Sequence, residues 1–263
     1  MEACAVNAGA IDWSAPWLAP LVRWREVLQA PDWRVAASGA ARAHGVTSGR
    51  GRPIVFVAAD DAGNTPYELH IANTGRVPAR DNWHDAFNAL MWLAFPRTKA
   101  ALNARQADEI ERLGIGPRRG AVRDAATLID ESGLLLASDD DSIFDALAQH
   151  DWSQLLINGR ARWGQDIRAF VFGHALLEKL CSPFKAITAC VVPVPLSSEP
   201  DEAAARFVMR ADLAPARLAH LPVLGIPGWW PPNEDPRFYE DPTVFRLRRS
   251  GCRRQPARLL PEG

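Results

Sequence analysis

Two short stretches of this chain set residues that could do chemistry at helical spacing. In DNWHDAFNALMWLAFPRTKAALN, residues 81–103, His84, Asp85 and Asn88 occupy the first turns of an expected helix. Wound at about 100° per residue, His84, Asn88, Met91 and Phe95 share one row, and Trp83, Phe87, Leu90 and Ala94 a second. Ala86, Ala89 and Leu93 fill the opposite side. A helix apolar all round is buried, so His84 and Asn88 must face protein or a cleft. In GHALLEK, residues 173–179, His174 and Glu178 stand at i, i+4, with Cys181 continuing their face. A histidine and a carboxylate at this spacing can share a metal, or the carboxylate can orient and charge-stabilise the imidazole.

These two pairs support one of two functional readings. If they converge, the cleft is that of an enzyme with His84, Asp85, Asn88, His174 and Glu178 as its candidate catalytic residues. Metal-assisted or general acid–base hydrolysis is then the least committal chemistry, and a divalent metal the cofactor to look for. If they do not converge, the same groups tie the core of a non-catalytic binding or scaffold protein, each satisfying its neighbours. Among the other acids, Asp130, Glu131 and the run Asp139 to Asp141 are expected as turn and cap residues. Asp124 is the acid least explained in that way. No phosphate-binding loop, dinucleotide fingerprint, nucleophile elbow or H-E-x-x-H occurs. His84-Asp85 formally matches a phosphohydrolase ligand pair, but such folds are all-helical and this chain has expected strands. A strand His70 followed by a helix bearing Asn88 faintly resembles a ββα nuclease, which lacks support without a basic face.

The elements that must position these residues follow from periodicity and breakers. Trp17, Leu21, Trp24 and Leu28 fall on one face of a helix stopped by Pro31. PIVFVAA, 53–59, reads as a strand, with PYELHIA, 66–72, as its hairpin partner across DDAGN. Asp81 is placed to cap the helix from about Asn82 to Phe95, and Pro96 opens a second helix that Gly114 stops. ATLIDESGLLLAS, 126–138, reads as a hairpin with its turn at Asp130 to Gly133. Short helices follow Asp139–Asp141 and span Asp151 to Ile157. A strand is expected at Asp166 to Phe172, a helix at Gly173 to Cys181, a strand at Ala186 to Val194 and a helix at Glu199 to Asp212. The segment from Gly225 to Phe245 has too many prolines for a regular helix or central strand, yet is too aromatic for a free loop. It is expected to wrap the body, either as a plain cover or as a roof over the His84 cleft with Asn233 or Asp241 reaching in.

The irregular order of strands and helices argues for α+β: a small mixed or antiparallel sheet packed by several helices. Residues 1–246 are read as a single domain and 247–263 as a basic, frayed tail. Of 263 residues, 48% are hydrophobic and 23% charged, and the net charge is −1. That balance gives no electrostatic case for nucleic acid or an anionic membrane. The apolar runs are too short to span a bilayer, and no signal peptide is evident. Cys4, Cys181, Cys190 and Cys252 form no C-x-x-C pair, which suits a reducing cytoplasm. A small molecule or a protein is left as the partner class.

Three blocks carry a family resemblance: the 81–103 helix, GHALLEK, and LPVLGIPGWW through FYEDPTVFR. Together they resemble a bacterial family known as domain-of-unknown-function family 3025, over roughly Pro53 to Arg246. The resemblance implies no activity and transfers no residue role. The three blocks hold the same His, Asp, Asn, Glu and aromatic groups singled out above.

Overall fold

The computed structural model describes residues 11–114 and 120–247. A 3-10 turn over Pro16–Trp24 leads into helices α1 (Arg25–Gln29) and α2 (Trp33–Ala43). Strand β1 (Val55–Ala58), helix α3 (Tyr67–Thr74) and strand β2 (Arg76–Ala79) come next, then helices α4 (Trp83–Ala94), α5 (Pro96–Leu113) and α6 (Ala121–Ser132). Strand β3 (Gly133–Ala137), helix α7 (Asp141–Gln149), strand β4 (Arg168–Val171), helix α8 (His174–Leu180), strand β5 (Thr188–Val194), helix α9 (Pro200–Val208) and strand β6 (Ala219–Pro222) complete the order. The fold is α+β. A two-stranded parallel sheet pairs β1 with β2, and a mixed four-stranded sheet runs β4-β3-β5-β6. Strands β3 and β5 are parallel, and both flanking pairs are antiparallel. Among the described residues no helix is long and apolar enough to cross a membrane.

Helix α4 is the buried axis of the site. Ala86, Phe87, Ala89, Leu90 and Met91 are fully enclosed, because α2, α8 and the first 3-10 turn pack around it. Eight apolar or weakly polar residues in succession leave it no solvent face to expose. Helix α5 follows at once, opened by Pro96 at its first position, where a missing N–H costs nothing.

Three expectations change here. The segment 66–72 is not a strand: α3 starts after Pro66 and ends at Gly75, whose left-handed φ of 73° closes the helix. An added Cβ at Gly75 would also meet the Pro53 carbonyl oxygen, so the turn needs glycine twice over. The partner of β1 is therefore β2, and the helical crossover between them carries Tyr67 and Glu68 toward the cleft. The segment 126–138 is not a hairpin either. Helix α6 runs through Asp130 and Glu131 to Ser132, and β3 starts immediately at Gly133. Val122, Ala125, Ala126 and Ile129 keep helical period, and tertiary burial of that face overrides the turn chemistry of Asp-Glu-Ser-Gly. The expected first helix is a 3-10 turn as far as Trp24, with Pro20 inside it, and becomes α-helical only at Arg25. The tail expected to fray lies outside the described residues beyond Leu247.

Candidate metal centre in the α4–α6–α8 cleft

Helix α4 is capped by Asn82, whose side chain accepts the Asp85 amide at 2.8 Å. Asp81, the cap expected from sequence, instead accepts the Trp33 indole N–H at 3.0 Å and ties α4 to α2. Asp85 accepts the Arg80 amide at 2.7 Å and the Arg80 Nε at 3.0 Å, so its carboxylate is held by the loop that enters the helix. One turn of α4 thus fixes its own entry and leaves His84 to face across to α8.

The approach of α8 depends on Gly173. A Cβ there would lie 2.5 Å from the Glu131 carbonyl oxygen and the Gly133 amide nitrogen, and 2.6 Å from Ser132 Cα. All of these are backbone atoms that cannot step aside. The Phe172 and Gly173 amides both donate to the Gly133 carbonyl, at 3.0 and 2.8 Å. With only hydrogen at Gly173, the start of α8 sits against the end of α6. His174 follows at once and is brought beside Asp130 and Glu131.

The two histidines meet there. His84 Nε2 and His174 Nε2 are 3.1 Å apart, although their helices are separated by 90 positions in sequence. The rings cross edge-on, with centroids 4.5 Å apart at 79°. Glu131 Oε2 lies 3.5 Å from His174 Nε2, and the ligand atoms of His84, His174 and Glu131 all fall within 4.8 Å of one another. On the far side of its ring, His84 Nδ1 donates to Glu178 Oε2 at 3.1 Å. His174 Nδ1 points toward Asp130 Oδ2 at 3.9 Å, is fully buried, and has no hydrogen-bond partner. Each imidazole therefore turns one nitrogen to a carboxylate and the other to its partner. Burial pushes the His174 pKa down to about 4, against the pull of Asp130, so the ring is neutral at physiological pH. A neutral imidazole is the form that ligates metal.

The donor set fits a divalent ion. Ligand atoms held about 2.0–2.1 Å from a tetrahedral zinc lie about 3.3 Å from each other. The two contacts around His174 Nε2, 3.1 and 3.5 Å, bracket that edge, while the third, between His84 and Glu131, is wider but within 4.8 Å and would have to close on the ion. Glu178, hydrogen-bonded behind His84, is the outer partner that a metal-bound histidine usually has, and Asp130 stands 3.9 Å behind His174. Burial raises the Glu131 carboxyl, while His84 beside it works in the opposite direction. A cation between them would favour the ionised form.

A buried polar chain supports the floor. Lys99 Nζ, enclosed at 4% exposure, lies 2.5 Å from Asp130 Oδ1 and donates to Asn88 Oδ1 at 2.8 Å. Asn88 Nδ2 donates to the Tyr67 hydroxyl at 3.2 Å. Burial pushes the Asp130 carboxyl up, but the Lys99 ammonium and His174 outweigh it and hold its pKa below the ordinary value. Asn88 is thus a relay in this chain, not a group that touches the histidine pair. Because Tyr67 oxygen accepts from Asn88, its own O–H is free to donate toward the cleft.

The cleft above has a volume of about 660 Å³. Its walls bring in Tyr67, Glu68, Arg80, Gln106, Arg123 and Thr127 beside the cluster. None of the lining comes from the aromatic segment, so the roof is not formed. That segment packs as a cover elsewhere. Tyr239 and Phe245 are buried, Tyr239 donates to the Gly225 carbonyl at 2.9 Å, and Asn233 donates to the Leu224 and Ile226 carbonyls. Asp241 is held by Thr243 and Lys185.

Of the five residues singled out from sequence, the structure joins His84, His174 and Glu178 directly, sets Asp85 in the cleft wall, and links Asn88 through Lys99 to Asp130, which faces His174. Asp130 and Glu131 were missed because the turn reading removed them. The helical period of Val122, Ala125, Ala126 and Ile129 was the signal that could have placed them on a lined helix face. Asp124, expected as a possible site acid, is exposed near the start of α6, away from the cleft wall. His70 sits on α3 and pairs with Asp61 at 3.2 Å.

No curated protein and no solved structure matches the chain. A family model does match, over residues 54–249. The matched span runs from the approach to β1 to beyond the aromatic cover and contains every residue of the histidine cluster, its carboxylates and the Lys99 chain. By that match the chain belongs to the family described as protein of unknown function DUF3025.

Proposed function

We propose that this cleft is the active site of a metal-assisted hydrolase in which His84, His174 and Glu131 hold one divalent ion. The observation that carries the reading is the paired orientation of the imidazoles: Nε2 to Nε2 at 3.1 Å, with a carboxylate behind each ring. Two neutral rings protonated on Nδ1 would set two lone pairs against each other, an arrangement a cation relieves. Glu178 fixes the tautomer and orientation of His84. Asp130, anchored by Lys99, faces Nδ1 of His174. An ion held there supplies Lewis acidity toward a carbonyl or phosphoryl oxygen and toward water. The Tyr67 hydroxyl, backed by Asn88 and Lys99, is placed to donate to charge that develops on the substrate.

The volume of the cleft, about 660 Å³, suits a small-molecule substrate. A net charge of −1 gives nucleic acid no general foothold. The free thiols Cys181 and Cys190 support a reducing, cytoplasmic setting. The competing reading is a structural tie. One proton between the two Nε2 atoms would make their contact a hydrogen bond joining α4 to α8, with no ligand involved.

A screen of ester, amide and phosphate substrates, run with the purified chain with and without added zinc or manganese, separates the two. Hydrolysis that a chelator abolishes, that metal restores, and that His84→Ala eliminates supports the enzyme. No turnover in any class, together with loss of thermal stability alone in His84→Ala, supports the tie.

A further inference from the structure

Helix α6 presents a stripe to the cleft. Arg123, Thr127, Asp130 and Glu131 all line it, at the i, i+4, i+7 and i+8 spacing that keeps side chains on one face. The metal-ligand end of that stripe is Glu131. Arg123 stands eight residues earlier, about 12 Å along the helix axis.

Arg123 is unlike the other charged groups of the wall. Arg80 is committed to Asp85 and Asp130 to Lys99. Among the described residues Arg123 makes no hydrogen bond or ion pair at contact distance, and its Nε is buried without an acceptor. The nearest acids are engaged elsewhere. Glu68 Oε2 accepts from Asn103 at 2.8 Å, and Glu109 is gripped by Arg112 at 2.7 Å. Both feel Arg123 only at longer range. A guanidinium keeps its charge under all ordinary conditions, and its planar fork matches the two oxygens of a carboxylate or phosphate. Leaving such a donor half-buried and unpaired is costly unless a ligand completes it. Gln106 lines the same cleft: its Oε1 accepts from Thr127, one turn along α6 from Arg123, at 3.4 Å, which leaves the amide NH2 as a further donor.

We infer that Arg123 forms an anion subsite, so that the cleft takes extended substrates with a carboxylate or phosphate at one end and the bond to be cut at the His84–His174–Glu131 end. The subsite deepens the hydrolase reading and rests on it for the second half of that statement. The first half, oxyanion binding at Arg123, stands on the guanidinium alone.

The test uses the full chain loaded with zinc and a series of hydroxamates, whose head groups chelate the metal. Monohydroxamates of dicarboxylic acids of increasing length are compared with methyl-capped hydroxamates of equal length, and with phosphonate-terminated ones. The expected result is a preferred chain length at which the anionic probe binds about tenfold tighter or better, the size of one charge-assisted contact. Arg123→Gln should abolish that advantage and Arg123→Lys retain part of it, both with zinc content unchanged. The better of the carboxylate and phosphonate probes identifies the oxyanion. Equal affinity for capped and uncapped probes, or an advantage that survives Arg123→Gln, overturns the subsite. If the chain holds no zinc, the hydrolase reading falls and a separate arm decides the subsite. Inorganic phosphate and acetate are then titrated against metal-free protein. Saturable binding lost in Arg123→Gln upholds Arg123 as an anion site, and absent or unchanged binding overturns it.

Discussion

His84, Asp130 and Tyr67 are each held from behind. Glu178 sets His84, Lys99 sets Asp130, and Asn88 carries the same ammonium through to Tyr67. The Lys99–Asp130 pair is the costly member, because both charges are out of water with side-chain exposures of 5% and 14%. Asp130→Asn would leave the ammonium buried without its counter-charge. The expected loss is about 3–5 kcal/mol in a urea titration, and a loss under about 1 kcal/mol would show that the pair is screened. At this scale the sequence was readable where function sat on one helix face. His174 and Glu178 were found from i, i+4 spacing, and His84 from its place at the mouth of an apolar helix. Glu131 and Lys99 were not. A lone lysine on an otherwise ordinary helix carries no pattern, and the acids of α6 resemble a turn until the packing of their helix is known.

Among the elements, α4, α5, α8 and β5 were legible because their breakers and periods agree: Pro96 and Gly114 bound α5, and an unbroken apolar run marks α4. Helices α3 and α6 were not. Tyr67, Leu69 and Ile71 alternate as a strand would, and Asp130 to Gly133 spells a turn, but burial decided both. The junction of α6 and α8 concentrates the consequence at Gly173. Gly173→Ala must push α8 away from backbone that cannot yield. Overpacking of this kind costs about 1–3 kcal/mol. Metal affinity should fall with it, as His174 is carried off Glu131. Retention of full metal affinity in a destabilised Gly173→Ala chain would show that the junction serves stability alone. The aromatic cover gives the opposite pattern. Trp229 packs on Trp17 at 6.4 Å, and neither it nor Trp230 lines the cleft. Replacing both with alanine should lower the melting temperature and leave metal content as it was, and loss of metal would restore the roof.

For the molecule as a whole, one apolar cluster reaches from Leu18 to Phe245, and the cover is pinned to it near its end by Asp241. The side-chain hydrogen bond from Thr243 and the one from Lys185 lower the Asp241 carboxyl from 3.8 to about 2. A carboxyl depressed on folding contributes stability that is fully present above about pH 3.8 and lost as pH falls toward 2. Wild type should therefore be more stable than Asp241→Asn at neutral pH, and the gap should close across that acid window. A gap that does not change with pH would mean that the pin is not electrostatic. The α+β class was readable from the irregular order of strands and helices. The partition into a two-stranded and a mixed four-stranded sheet was not, because β2 and β3 are short and lie directly against the helices that hid them.

The central claim is that α4, α6 and α8 converge to hold a divalent ion, and elemental analysis of the purified chain beside His174→Ala tests it most directly. The expected result is close to one zinc, manganese or iron per wild-type chain, reduced to background in a variant that circular dichroism shows to be folded. Wild-type chain that takes up no divalent metal, or a folded variant that keeps its full complement, would contradict it.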